Sequence, residues 1–221
     1  MIQPFGEHAL LVELEGPDAA RSLAASLERD PVDGVEAAIP GLGSVLVELT
    51  PPAGDRAGEL GAQLADRVAS LTLHEGGGRV RTIPVVYGGA HGPDLDRTAA
   101  VLGISADELV ARHAATELQV LFCGFAPGFA YLGELPQGLR VPRLDTPRTR
   151  TPSGSVAVAG PMSGIYPAEL PGGWPVIGRT PLLLFDARRD PPAYLAPGDT
   201  VRWEPIDHDG WSDRPRTADD W

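Results

Sequence analysis

The spacing of apolar residues changes character along the chain. Over residues 8–14 they alternate, putting Leu10, Val12 and Leu14 on one face, which is the period of a half-buried strand. Over 17–28 the period lengthens: Ala20, Leu23, Ala24 and Leu27 fall at helical spacing. Residues 34–39 and 44–49 alternate again, joined by the turn-rich Pro40-Gly41-Leu42-Gly43. A second helical stripe (Ala57, Leu60, Leu64, Val68, Leu71) runs through 55–71, and after Glu75-Gly76-Gly77-Gly78 a last strand is predicted over 79–85. The resulting order, βαββαβ, is that of a ferredoxin-like α/β domain.

PVVYGGAHGP, residues 84–93, reads as a loop and marks the domain boundary. Two short helices are predicted next, over 94–102 and 105–115, the second opened by the capping box Ser105-Ala106-Asp107-Glu108. From Leu118 the helical period is lost. Short apolar runs (LQVLFCG, SVAVAG, PLLLFD, TVRWEPI) alternate with Pro/Gly turns, the pattern of an all-β barrel or sandwich. The expected division is an α/β domain over 1–87, a β domain over 88–206 and an acidic, aperiodic, flexible tail over 207–221.

Composition narrows the function. A net charge of −12 disfavours nucleic acid and anionic membranes, since phosphate affinity comes from Lys and Arg. No apolar run approaches the ~18 residues of a membrane span, and the opening MIQPFGEH lacks a leader pattern, so a cytoplasmic setting is expected. The 18 positive charges are all Arg. Without lysine the chain cannot supply a P-loop, a Schiff base or a Ser-x-x-Lys nucleophile. The scattered histidines and lone Cys123 give no metal cluster, and Asp207-His208-Asp209-Gly210 lacks the distal Glu of a calcium loop. Cys123, in an apolar run, reads as inert core.

One segment stands apart electrostatically. Over 138–179 there are five arginines (Arg140, Arg143, Arg148, Arg150, Arg179) against two acids, Asp145 and Glu169. If Arg148 and Arg150 lie on an extended segment they share a face, and two adjacent guanidiniums are favourable only around an anion. The competing reading pairs each with a surface acid. Around them, Ser153 and Ser155 in Pro152-Ser153-Gly154-Ser155 offer hydroxyls and amides to an oxyanion or form an ordinary turn, and Tyr166 lines a pocket or packs in the core. His113, late on a helix, suits a structural place near the helix dipole, and is also the best base in the chain. The aromatic run over 125–132 reads as a packed loop rather than a ligand platform.

Several ordered motifs carry a resemblance that covers nearly the whole chain: FCGFAPGFAYL at 122–132, TPR at 146–148 with PSGSV at 152–156, GIYP at 164–167, PGGW at 171–174, IGRTP at 177–181 and PGD at 197–199. They resemble the B subunit of bacterial ATP-dependent 5-oxoprolinases, also called allophanate hydrolase subunit 1 and related to the Kip-type inhibitor of a sporulation histidine kinase. The resemblance implies an N-terminal α/β domain followed by a cyclophilin-like barrel. It also implies partner C and A subunits, ATP bound here or by a partner, and a small amide substrate, 5-oxoproline, opened to glutamate. In that setting His113 and Arg148 are the catalytic candidates, and Arg148, Arg150, Ser153, Ser155, Tyr166 and Arg179 the substrate-binding ones. Two alternatives accompany it: a non-catalytic kinase regulator, and carboxyl transfer to urea or allophanate, as in the related part of urea carboxylase. Ser153 and Met162 depart from the family's usual Ala and Gln.

Overall fold

The computed structural model describes residues 1–51, 56–73, 78–208 and 211. The chain divides into two compact units, Met1–Gly77 and Gly78–Trp221. No helix among the described residues is long and apolar enough to cross a membrane.

The first unit contains β1 (Ile2–Pro4), β2 (Ala9–Glu13), α1 (Pro17–Arg29), β3 (Val35–Pro40), β4 (Ser44–Leu49) and α2 (Ala57–Ala69). α1 starts where Pro17 presets the first turn, with Asp18 in that turn and Arg29 in the last, both complementing the helix dipole. The sheet is antiparallel in the order β1-β2-β4-β3. Leu10, Val12, Val45 and Val47 meet Leu23 and Leu27 of α1 and Leu60 and Leu64 of α2 in one core.

The ferredoxin-like expectation needs correction here. The β2-α1-β3-β4-α2 order follows the predicted pattern, but the sheet edge beside β2 is filled by β1, from the chain's start, and not by the strand predicted at 79–85. That strand, β5 (Val80–Tyr87), belongs to the second unit and includes part of the segment read as a boundary loop. Alternation identifies a strand but not the sheet it joins, and Pro84 and the following glycines imitate a linker.

The second unit is a closed barrel with two helices. After β5 come α3 (Leu95–Leu102), α4 (Ala106–Ala114), β6 (Leu118–Cys123), β7 (Ala130–Gly133), β8 (Arg148–Thr151), β9 (Ser155–Ala159), β10 (Met162–Ile165), β11 (Leu170–Gly172), β12 (Val176–Arg179) and β13 (Thr200–Pro205). The barrel order is β10-β7-β6-β13-β5-β12-β9, closed by β9 on β10, while β8 and β11 form a separate two-stranded ribbon. The parallel β5–β13 pair joins the beginning of the unit to its last strand. Half of the predicted capping box forms: Ser105 Oγ accepts from Glu108 N–H at 3.1 Å, while the Glu108 carboxylate pairs with Arg112, and α3 ends on Gly103 in the left-handed conformation. Ile83, Val85, Val120, Leu132, Val156, Ile165, Ile177 and Val201 fill the interior.

The run PLLLFD is not a barrel strand. Leu182 and Leu184 are buried, but the segment forms no continuous ladder: Leu182 and Phe185 make only single bridges, that of Phe185 with Ala193. Of the tail expected to be flexible, Trp211 sits tilted against His91 with ring centroids 4.2 Å apart and lies under the Arg179 guanidinium, so at that residue the tail is packed. Residues 209, 210 and 212–221 fall outside the described residues.

Candidate functional site

The turn from β6 to β7 builds one wall of a cavity. Phe125 is held at φ 70°, a left-handed conformation that costs a bulky residue of order 1–3 kcal/mol, yet the side chain is 60% exposed. Little burial offsets that strain. Phe129, four residues on, is buried and receives Phe125 edge-on at 5.4 Å. It also meets Tyr131 at 4.8 Å, Tyr166 at 5.2 Å and Trp174 at 6.4 Å, so it is the hub of an aromatic cluster drawn from three parts of the unit.

These rings line a cavity of about 240 Å³, closed on its other sides by Pro147, Pro171, Gly172 and the side chain of Arg143. Gly172 is there for space: a Cβ would fall 2.2 Å from Tyr166 Oη and 2.7 Å from Thr151 Oγ1. Arg143 comes from the long connection between β7 and β8, pinned to the opposite wall where Leu144 N–H donates to the Gly173 carbonyl at 2.8 Å. Among the described residues it has neither an ion pair nor a hydrogen bond. Burial raises the phenol pKa values of Tyr131 and Tyr166, opposed in both by the Arg143 charge and at Tyr166 also by a hydrogen bond with Thr151. Both phenols therefore stay protonated at neutral pH. The cavity offers flat apolar walls, two hydroxyl donors and the guanidinium of the exposed Arg143, a set suited to a small, planar, anionic molecule.

Of the residues singled out from sequence, Tyr166 lies in this cavity and the others lie elsewhere. Arg148 and Arg150 do not converge on a common anion. β8 carries an irregularity, with Gly172 opposite Arg148 and Leu170 opposite Thr151, so three steps on one strand face two on the other and the expected alternation is broken. Arg148 turns inward and donates to Asp94 Oδ1 at 2.6 Å, whereas Arg150, 79% exposed, faces Glu169 at 3.5 Å. The reading that pairs each with a surface acid holds for Arg150; Arg148 also pairs with an acid, but a buried one.

Most donors of the Ser153–Ser155 turn are committed. Gly154 N–H goes to the Tyr166 carbonyl at 2.7 Å, Ser155 N–H to Pro152, and Ser153 Oγ to the Pro167 carbonyl at 3.0 Å, so the Gly154 and Ser155 amides are not open together to an oxyanion. Ser155 is buried in β9. Arg179 donates through Nε to the Ser153 carbonyl at 2.7 Å. His113 is sealed in the barrel core, its Nδ1 2.9 Å from the Tyr87 hydroxyl and its ring against Trp203. Burial lowers its pKa to about 3, so it is a neutral structural imidazole and not a base open to substrate.

Sequence reasoning passes over Arg143. It counts in the basic segment but is overshadowed by the Arg148/Arg150 pair, although its place between Pro142 and Pro147, outside any alternating run, is a sign of a side chain presented from a loop. The aromatic run read as packing does both: Phe129 packs, and Phe125 and Tyr131 face the cavity.

Comparison with known proteins agrees with these motifs. The family described as carboxyltransferase domain, subdomain C and D, matches residues 1–195. The 5-oxoprolinase B subunit of Escherichia coli O157:H7 is 44% identical over 211 residues, spanning 91% of this chain and 94% of that protein. Among solved structures, TTHA0988 shares 34% identity at a TM-score of 0.79 over 95% of this chain, which spans only 41% of that longer one. The Kluyveromyces lactis urea carboxylase, at 20% identity and a TM-score of 0.74, shares the fold, with 94% of this chain corresponding to 22% of that chain. The chain belongs to the carboxyltransferase subdomain C and D family and, within it, with the B subunits of 5-oxoprolinases.

Proposed function

We propose that this chain is a subunit of an ATP-dependent 5-oxoprolinase and that the aromatic cavity of the barrel unit receives 5-oxoproline. The observation that carries the cavity assignment is Arg143, a guanidinium without an acid partner among the described residues, set into a small aromatic pocket. 5-Oxoproline is a five-membered lactam bearing one carboxylate. Its flat amide ring suits the Phe129, Tyr131 and Trp174 faces, its carboxylate suits the fork of Arg143, and its lactam oxygen suits the protonated Tyr131 or Tyr166 hydroxyl.

The same dimensions argue against ATP in this cavity. At about 240 Å³ it falls below the ~300–1,000 Å³ of pockets for drug-sized ligands, and the chain has neither lysine nor a P-loop to hold a triphosphate. Cleavage of ATP would supply the driving force for opening an otherwise stable amide. Nucleotide binding is accordingly assigned to a partner, with homologues of the C and A subunits as the partners proposed and the cytoplasm as the setting. A heteromeric complex is supported by the subunit naming of the relative and by TTHA0988, whose chain continues well beyond the part that matches. The division of labour is then that this chain orients and neutralises the substrate anion, while bond-making draws on a partner chain.

Mixing tests this. Purified alone, the chain should release no ADP with 5-oxoproline present, and activity should appear only when the partner subunits are added. Hydrolysis of ATP by the isolated chain in response to 5-oxoproline would contradict the assignment.

A further inference from the structure

Asp94 stands at the start of α3, in the position where an aspartate ordinarily caps the helix with its own carboxylate. Here it makes no side-chain cap. Its carboxylate is buried, 5% exposed, and is used elsewhere: Oδ1 accepts from Arg148 Nη2 at 2.6 Å, and Oδ2 accepts from the Val176 backbone N–H at 2.7 Å. The Asp94 N–H in turn donates to the Val176 carbonyl at 2.9 Å, so the residue is clamped to β12 from both sides. Burying a carboxylate is costly unless it is fully paired, so an arrangement that takes it from the helix and gives it to two other strands calls for a reason.

The reason lies a short step along each strand. Pro147, next to Arg148, and Trp174, two residues before Val176, are both walls of the cavity. Arg148 itself does not line it, although its charge is felt at the Tyr166 phenol. Asp94 thus ties together the segment that carries Pro147 and the segment that carries Trp174. Resting on the reading that this cavity is the substrate site, we infer that Asp94 is a positioning residue for it, acting through Arg148 and Val176, and that Arg148 serves the substrate only by way of this clamp.

The contact between Arg148 and Asp94 is a single N–H···O bond and not a two-pronged grip, which gives the inference a specific signature. A lysine can make one such bond, whereas it cannot replace a guanidinium that clasps a carboxylate of the substrate. In the assembled enzyme, Asp94→Asn and Arg148→Gln should each raise KM for 5-oxoproline about tenfold with kcat changed less than about threefold, since small displacements of a positioning wall are felt mainly in how the ligand is held. The double variant should be no worse than the poorer single one, because both substitutions break one clamp. Arg148→Lys should stay within about threefold of the parent.

Asp94→Asn keeps the shape and one acceptor for Val176, so circular dichroism and Tm should show a folded protein. Additive effects in the double variant, or an Arg148→Lys as impaired as Arg148→Gln, would overturn the inference by showing that Arg148 meets the substrate itself. Arg143→Gln, measured alongside, separates two failures. If it raises KM while Asp94→Asn does not, the clamp is wrong and the cavity stands. If neither changes KM, the cavity is not the site and the clamp falls with it.

Discussion

Two of the places in the barrel unit where a tyrosine meets a nitrogen-bearing side chain differ in what surrounds them. In the core, Tyr87 and His113 bond to each other at 2.9 Å beneath Trp203, and the ring of His113 has no exposed surface. Burial pushes the Tyr87 phenol up and the imidazole down to about 3, so neither carries charge at neutral pH. In the cavity, Tyr131 and Tyr166 share their surroundings with Arg143, which has access to solvent. Similar side chains are structural in one place and ready for a ligand in the other. What separates them is burial: the imidazole of His113 is sealed from solvent, with only its Nδ1 bonded, whereas Arg143 is exposed at the cavity.

The largest effect expected from breaking this contrast is on the core side. His113→Ala removes a buried ring and leaves the Tyr87 hydroxyl without its partner, which should lower stability by about 3 kcal/mol at pH 7. Any folded complex should keep its kcat at neutral pH within about twofold. Because the folded pKa of His113 lies below its unfolded value near 6.5, the unfolded chain takes up the proton first. The stability this residue contributes is present above pH 6.5 and is lost as pH falls toward 3, at about 1.4 kcal/mol per pH unit. Denaturant melts at pH 7 and 5 should therefore show the gap between parent and His113→Ala narrowing by about 2 kcal/mol. A constant gap would mean that the imidazole titrates in the folded protein as it does in the unfolded chain, and a widening gap that it is charged in the folded state.

On the cavity side, Gly172→Ala places a methyl group on the Tyr166 hydroxyl and Thr151. Overpacking of this kind costs about 1–3 kcal/mol, and here the phenol has the cavity to move into. KM for 5-oxoproline should rise several-fold together with a modest fall in Tm. A loss of stability without a change in KM would detach Tyr166 from the ligand. The smallest effect is expected at Arg150, whose exposed contact with Glu169 is worth at most about 0.5 kcal/mol. Arg150→Ala should alter neither Tm nor turnover measurably, and a large fall in turnover would restore the two-arginine anion site that the irregularity in β8 breaks up.

The elements that hydrophobic period specifies are legible in the chain itself. Both first-unit helices, the Ser105 cap and the strands rich in Val and Leu lie where the alternation and capping residues put them. Partnership is not legible. β5 reads equally well as the last strand of an α/β sheet or the first of a barrel, because period 2 describes one strand and register describes two. The site escapes sequence reasoning for a related cause. Arg148 and Arg150 share a face only in a regular strand, and the extra residue that spoils this is defined by pairing with β11, far along the chain. Arg143 is easily discounted because a charge on a loop looks like ordinary solvated surface until the rings of Phe129, Tyr131 and Trp174 are seen around it.

The claim on which the rest depends is that Arg143 recognises the substrate carboxylate. Calorimetric titration of the assembled enzyme with 5-oxoproline and with 2-pyrrolidinone, the same lactam without its carboxylate, tests it directly. Charge-assisted hydrogen bonds of about 1.5–3 kcal/mol correspond to a preference of about 10- to 100-fold for 5-oxoproline in the parent protein. In Arg143→Gln that preference should fall to near unity, with 2-pyrrolidinone binding unchanged. A preference that survives intact in Arg143→Gln would place the carboxylate elsewhere and contradict the account.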